Sequence, residues 1–164
     1  MIELVKAETK HFNQWHETFN KICAEQKYME VTTGWAPEVA LNWCMAHLVL
    51  KNPLYMLIDE KEGKVVGWVE ITRKIDPSTT HRGELSLGML PEYRGAGHGK
   101  KMMNHIMNVA KNNGFTKLEL RVRNDNVAAV EMYLKFGFEF EGCIKNAVIL
   151  NGATINMLEM GRTL

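Results

Sequence analysis

Residues 94–101 read Arg94-Gly95-Ala96-Gly97-His98-Gly99-Lys100-Lys101. Three glycines alternate with other residues, an arginine stands in front, and two lysines follow. Downstream, Met102, Met103, Ile106, Met107 and Ala110 recur at helical spacing, so the glycines stand where a helix begins. The first turn of a helix carries unpaired N–H groups and the positive end of the helix dipole. A glycine-rich entry to a helix, flanked by cations, is therefore a place where an anion can lie against bare backbone. Upstream, Gly83–Leu90 reads as a strand, with Leu85, Leu87 and Met89 on one face and Glu84, Ser86 and Gly88 on the other, and Pro91 stops it.

Outward from this unit the pattern alternates between periods of two and 3.6. Ile2–Ala7 is a short strand. Thr9 is placed to cap a helix carrying Phe12, Trp15, Phe19, Ile22 and Cys23. Thr32-Thr33-Gly34 breaks the pattern. Pro37 opens a second amphipathic helix with Val39, Leu41, Trp43, Cys44, His47 and Leu48, which Asn52-Pro53 ends. Leu54–Asp59 and Lys64–Lys74 form a hairpin around Gly63. After the glycine loop and its helix, Asn112-Asn113-Gly114 is a C-cap signature and Thr116–Val122 a strand. Asn126 caps a helix through Phe136 that Gly137 terminates. Phe138–Cys143 and Ala153–Met160 are the last strands, joined at Asn151-Gly152. The order is strand, two helices, three strands, helix, strand, helix, two strands: α/β in the middle, antiparallel at the flanks, a single domain over residues 1–164.

The composition narrows the partners. Lys+Arg 20 against Asp+Glu 19 leaves a net charge of +1, without the basic excess that nucleic acid or an acidic membrane calls for. No apolar run approaches the roughly 20 residues that span a bilayer. Cys23, Cys44 and Cys143 are odd in number and widely spaced, which suits small buried residues in a reducing compartment and neither a disulfide framework nor a zinc site. His98 and His105, seven residues apart, make no metal site; no metal is expected, and the cytoplasm is the expected location.

Three loop types compete for residues 94–101. A nucleotide triphosphate loop needs glycine at 94 and Ser/Thr at 101, where Arg94 and Lys101 stand. The dinucleotide fingerprint needs a third glycine at 100, where Lys100 stands. The third pattern, R-x-x-G-x-G, fits Arg94 to Gly99 and resembles the pyrophosphate loop of the GNAT superfamily of N-acetyltransferases. The stretch Asn126-Val127-Ala128-Ala129-Val130-Glu131-Met132-Tyr133-Leu134-Lys135-Phe136-Gly137-Phe138 is similar to the N-x-x-A-x-x-x-Y-x-x-x-G-F signature of the same superfamily. The likeness covers about the C-terminal half; the first 80 residues agree only in the order of elements.

The resemblance implies an α/β (α+β) fold: a mixed, mostly antiparallel central sheet with helices on both faces and a fourth and fifth strand that splay apart. It implies acetyl-CoA as co-substrate, bound by a core at about residues 83–140. Leu87, Gly88 and Met89 would present strand backbone to it, with the N–H of Gly88 or Met89 at the thioester. Arg94, Gly95, Ala96, Gly97, His98, Gly99 and Lys100 would hold the diphosphate, and Asn126, Ala129 and Tyr133 would complete the site. Tyr133 is carried over as general acid, since a phenol near pKa ~10 and a thiol near ~8.5 exchange a proton readily. Glu84 is favoured as general base over Glu70, with water as the third choice. Thr33, Trp35, Glu70 and Glu84 are the expected acceptor contacts. The implied reaction is acetyl transfer to a primary amine of a small molecule such as an amino acid or amino sugar; the alternatives are a protein N-terminus or lysine as acceptor, or an acyl-CoA-binding regulator without catalysis. A homodimer through the C-terminal strands is also implied.

Overall fold

Eleven helices and strands follow one another in a computed structural model that describes all of residues 1–164: β1 (Ile2–Lys6), α1 (Phe12–Ala24), α2 (Pro37–Val49), β2 (Leu54–Asp59), β3 (Lys64–Arg73), β4 (Arg82–Met89), α3 (His98–Asn112), β5 (Lys117–Arg123), α4 (Val127–Lys135), β6 (Glu139–Leu150) and β7 (Ala153–Thr163). The strands form one sheet in the order β1-β2-β3-β4-β5-β7-β6, antiparallel throughout except between β4 and β5. That parallel pair is short. Arg82, Gly83 and Glu84 pair with Lys117, Leu118 and Glu119, and beyond them the two strands part, while β4 stays paired to β3 as far as Met89. The fork between β4 and β5 is the feature that positions the site.

Helices cover both faces of the sheet. On one, Trp15 of α1 meets Trp68 of β3 edge-on, 5.7 Å between ring centroids. On the other, α3 buries Met102, Met103, Ile106, Met107 and Ala110, the stripe its sequence displays. No side chain caps α3, and Gly99 lies in its first turn, at a cost of about 1 kcal/mol against alanine. Burial outweighs this, because each of the larger apolar side chains contributes about 1.5–3 kcal/mol. Packing, and not local propensity, holds the helix whose mouth the glycines form.

Four local readings change. The chain enters α1 through a short 3-10 turn, Thr9–His11, whose cap is Glu8 and not Thr9; the Glu8 N–H donates to Nδ1 of His11 at 3.0 Å. The second helix is not amphipathic. Ala40, Cys44 and His47 are buried, while Val39, Leu41, Met45 and Val49 face solvent, so its apolar residues ring the helix. The sixth strand runs on past Cys143 to Leu150, because irregularities after Phe140 and Ile144 break the two-residue alternation that would have marked it. Cys143 is exposed there, whereas Cys23 and Cys44 are buried, and burial pushes the Cys44 thiol up to about 12. The Asn151-Gly152 turn has both residues at positive φ, 51° and 78°, as a tight hairpin requires.

Candidate active site

The glycine loop leaves a row of donors free. No backbone N–H from Gly95 to Lys100 donates to another backbone group; the first that does is Lys101, to the carbonyl of Gly97 at 3.0 Å. Gly95 and Gly97 sit at φ +76° and +85° with open space where a Cβ would stand, so conformation and not crowding calls for glycine there. Gly99 answers to packing: a Cβ would lie 3.3 Å from Sδ of Met132 on α4. Six consecutive unpaired amides at a helix mouth fit a diphosphate.

The side chains around the loop divide differently from the sequence expectation. Arg94 lines the cleft, but its guanidinium is already engaged. Its guanidinium forks onto Glu25 at 2.9 and 2.6 Å and onto the carbonyl of Met89 at 2.9 and 2.7 Å, tying the end of α1 to the end of β4. Lys101 donates to the carbonyl of Ile2, on the edge strand β1. Ala96 and His98 do not line the cleft; Gly95, Gly97, Gly99 and Lys100 do. Lys100 forms no ion pair and is the cation available to a phosphate.

From the loop a cleft of about 810 Å³ runs along the fork. Leu90 N–H donates to Val66 and Lys74 N–H to the carbonyl of Arg82, which sets the alternation of the β3–β4 ladder. By that alternation Glu84, Ser86 and Gly88 turn their amides to β3, whereas Leu87 and Met89 turn theirs to the open fork. Gly88 is thus no candidate donor to a ligand; its role is steric, since a Cβ would stand 2.3 Å from the ring of Trp68. Met89 N–H, beside its Arg94-bound carbonyl, faces the cleft.

The helix beyond the fork supplies Asn126, Ala129 and Tyr133. The side-chain oxygen of Asn126 accepts from Ala129 N–H at 3.3 Å and caps α4, and all three residues line the cleft. Tyr133 is 7% exposed, packs edge-on against Phe138, and has no hydrogen-bond partner for its hydroxyl. Burial raises its phenol well above the ordinary value, which keeps it protonated.

The two carboxylates differ sharply. Glu84 forms ion pairs with Lys74 at 3.1 Å and with Arg121 at 3.6 Å, its side chain 39% exposed. Glu70 is buried at the cleft wall, where Oε2 lies 3.0 Å from Nε2 of His47 and accepts from the Thr72 hydroxyl at 3.0 Å. Burial raises its carboxyl above the usual range, against the opposing pull of His47 and Thr72. Nδ1 of His47 lies 3.1 Å from the carbonyl oxygen of Trp43, which only accepts, so Nδ1 carries a proton. Nε2 also lies 3.2 Å from the Thr72 hydroxyl, so His47, Thr72 and Glu70 form one closed polar cluster. His47 was legible only as a member of an apolar helix; its partnership with Glu70, 23 residues away, has no local signal.

The acceptor wall also departs from expectation. Thr33 does not line the cleft, whereas Trp35 does, together with Met29, Glu30 and Val31. At Gly34, with φ +72°, the chain turns against Asn20, whose amide accepts from Trp35 N–H at 2.9 Å. That turn swings Trp35 inward and leaves Thr33 outside. Trp43 stacks on Trp15 at 4.5 Å and lies 4.0 Å from the His47 ring, so the aromatic wall adjoins the Glu70 pair.

Comparison with known proteins bears on this geometry. The profile of the Acetyltransferase (GNAT) family matches residues 12–138. The chain is 41% identical over 63 residues to N-alpha-acetyltransferase 50 of Danio rerio, covering 38% of each protein. It is 28% identical over 102 residues to L-amino acid N-acetyltransferase AaaT of Escherichia coli, covering 62% of this chain and 63% of that one. These alignments thus span less than two thirds of either relative. Among solved structures, an acetyltransferase of GNAT family from Streptococcus pneumoniae superimposes with a TM-score of 0.90 at 22% identity, each chain covered fully. A GNAT superfamily phosphinothricin acetyltransferase from Sinorhizobium meliloti, in complex with AcCoA, gives a TM-score of 0.89 at 20% identity over 99% of this chain and 88% of that one. At these identities the structural likeness speaks to the fold.

Proposed function

The chain belongs to the GNAT family of acetyltransferases, and on that premise we propose that it transfers the acetyl group of acetyl-CoA to a primary amine of a small molecule. The observation that carries this reading is the run of six free amides, Gly95 to Lys100, opening onto the fork between β4 and β5. These amides and Lys100 hold the diphosphate, the backbone of Leu87 and Met89 holds the arm that follows it, and Asn126 and Ala129 close the other side. Acetyl-CoA, when bound, supplies an activated thioester carbonyl. The N–H of Met89 is the donor to that carbonyl's oxygen, where negative charge develops.

Glu70 is the general base. A carboxylate that takes a proton from an ammonium works best when its own proton affinity is raised, and burial gives Glu70 that property. Glu84, braced between Lys74 and Arg121, serves the wall. His47 and Thr72 fix the Glu70 carboxyl. Tyr133, protonated and without a competing partner, would give its proton to the departing thiolate and regain one from the attacking nitrogen, which sheds a proton as the amide forms.

The test is thiol release from acetyl-CoA in the presence of amines, with CoA affinity measured separately by calorimetry. Tyr133→Phe is expected to lower kcat by about 100-fold while CoA affinity stays within about twofold. Wild-type protein that binds CoA but releases no thiol with any amine contradicts the catalytic reading, and protein that binds no CoA species contradicts the whole proposal.

A further inference from the structure

Every guanidinium that lines the cleft is already paired with a carboxylate. Arg94 is forked onto Glu25. Arg121 stands 3.9 Å from Glu30 and 3.6 Å from Glu84. The one cation of the cleft without an ion pair, Lys100, belongs to the glycine loop at the opposite end from the carboxylates. The ladder fixes which end is which: Trp68 lies across from Gly88, Glu70 from Ser86 and Thr72 from Glu84, so the acids lie progressively farther from the loop. Beyond the thioester position the cleft therefore presents Glu70, Glu84 and Glu30, with Arg121 as its sole lining cation there.

The rest of this end is aromatic. Trp35 and Trp43 form its surface, 6.0 Å apart at 59°, braced from behind by Trp15 at 4.5 Å from Trp43 and Phe19 at 4.5 Å from Trp35. Tryptophan faces attract apolar and aromatic groups and cations, through burial and through the negative charge of the ring face. They offer nothing to a carboxylate. An acceptor bearing its own anion would meet three carboxylates and find Arg121 engaged, whereas an ammonium on a hydrocarbon or aromatic frame satisfies both the wall and the acids.

We infer that the acceptor is a primary amine carried on an aromatic or hydrocarbon frame that lacks a carboxylate, an arylalkylamine in chemical class, and that the Glu30–Arg121–Glu84 bracket excludes amino acids. This rests on the acetyltransferase reading above and narrows its substrate. The bracket works by neutralisation: Glu30 and Glu84, at 3.9 and 3.6 Å, already offset the charge of Arg121, so a carboxylate on the acceptor adds a third anion around one cation. The penalty for an unpaired anion at such a wall is about tenfold to 100-fold in kcat/KM.

Matched pairs that differ only in the carboxylate test this: tryptamine against tryptophan and phenethylamine against phenylalanine, with glucosamine as a polar amine, all read by thiol release at fixed acetyl-CoA. The expected result is kcat/KM at least about tenfold higher for each decarboxylated partner, and glucosamine below both arylalkylamines. Equal or better turnover of the amino acids, or of glucosamine, overturns the inference and leaves acetyl transfer standing. Absence of turnover with every amine overturns both. The double variant Glu30→Gln/Glu84→Gln, which releases Arg121, is expected to narrow the tryptamine-to-tryptophan ratio at least about fivefold. An unchanged ratio in a variant that melts like the wild type refutes the bracket.

Discussion

A single carboxyl group, that of Glu70, shows how burial turns an ordinary acid into a reactive one. Its charge is disfavoured by the cleft wall and only partly compensated by His47 and Thr72. The sign for stability follows directly. A carboxyl whose pKa is raised in the folded state stabilises the fold relative to the unfolded chain below the ordinary value, and that contribution is lost as pH rises through the raised value. Glu70→Gln, which removes the charge and keeps the shape, is thus expected to melt higher than the wild type at pH 7.5 and to lose that advantage at pH 4. The same substitution is expected to lower kcat by about 100-fold. Thermal melts at the two pH values, set beside thiol-release rates, check both; a variant less stable than the wild type at pH 7.5 refutes the buried-charge account. Arg94 carries the opposite lesson. As part of R-x-x-G-x-G it reads as a phosphate ligand, but Glu25, 69 residues upstream, claims its guanidinium.

At the scale of elements, the mouth of α3 combines a backbone conformation with a set of free donors, and the two are separable by experiment. Gly97 and Gly114 flank the same helix at φ +85° and +74°, each with open space where a Cβ would stand. Alanine at either is expected to cost about 1–2 kcal/mol of stability through left-handed strain. Only Gly97→Ala is expected to weaken CoA binding, by about tenfold, since only that end bears the amide cradle. Urea melts and calorimetric titration of CoA on both variants decide it; equal loss of affinity in both would mean that the cradle is not the binding element. Motifs of this kind are legible because their chemistry is local: a glycine at positive φ, a cap such as Asn126 three residues before its donor, and a stripe of Met and Ile at helical spacing are all visible within one turn or two.

Across the molecule, the cleft depends on links between distant segments. Arg123, 2% exposed at the end of β5, forks onto Asp125 at 2.9 and 2.6 Å and reaches the carbonyls of Gln26 and Met29 at 3.4 and 3.5 Å. It thereby ties the segment after α1, which forms one side of the acceptor wall, to the arm of the fork. Arg123→Met is expected to leave those carbonyls unpaired, to lower stability by about 1–3 kcal/mol and to raise the acceptor KM several-fold with little change in CoA affinity. Arg123→Lys is not expected to rescue it, because one ammonium does not reproduce the fork. A steady-state titration of the acceptor at saturating acetyl-CoA measures the split; an unchanged acceptor KM would detach Arg123 from the site.

By itself the chain determined the order of its elements, the glycine loop, the cap at Asn126 and the aromatic content of its N-terminal half, because each depends on neighbours within a few residues. The tertiary structure alone decided that Glu70 is buried against His47 while Glu84 stays half-exposed between Lys74 and Arg121, that Met89 and not Gly88 presents its amide, that Trp35 and not Thr33 faces the cleft, and that Arg94 and Arg121 are already claimed. Burial, strand register and ion pairing are relations between residues tens of positions apart. No local pattern encodes which of two carboxylates loses its water.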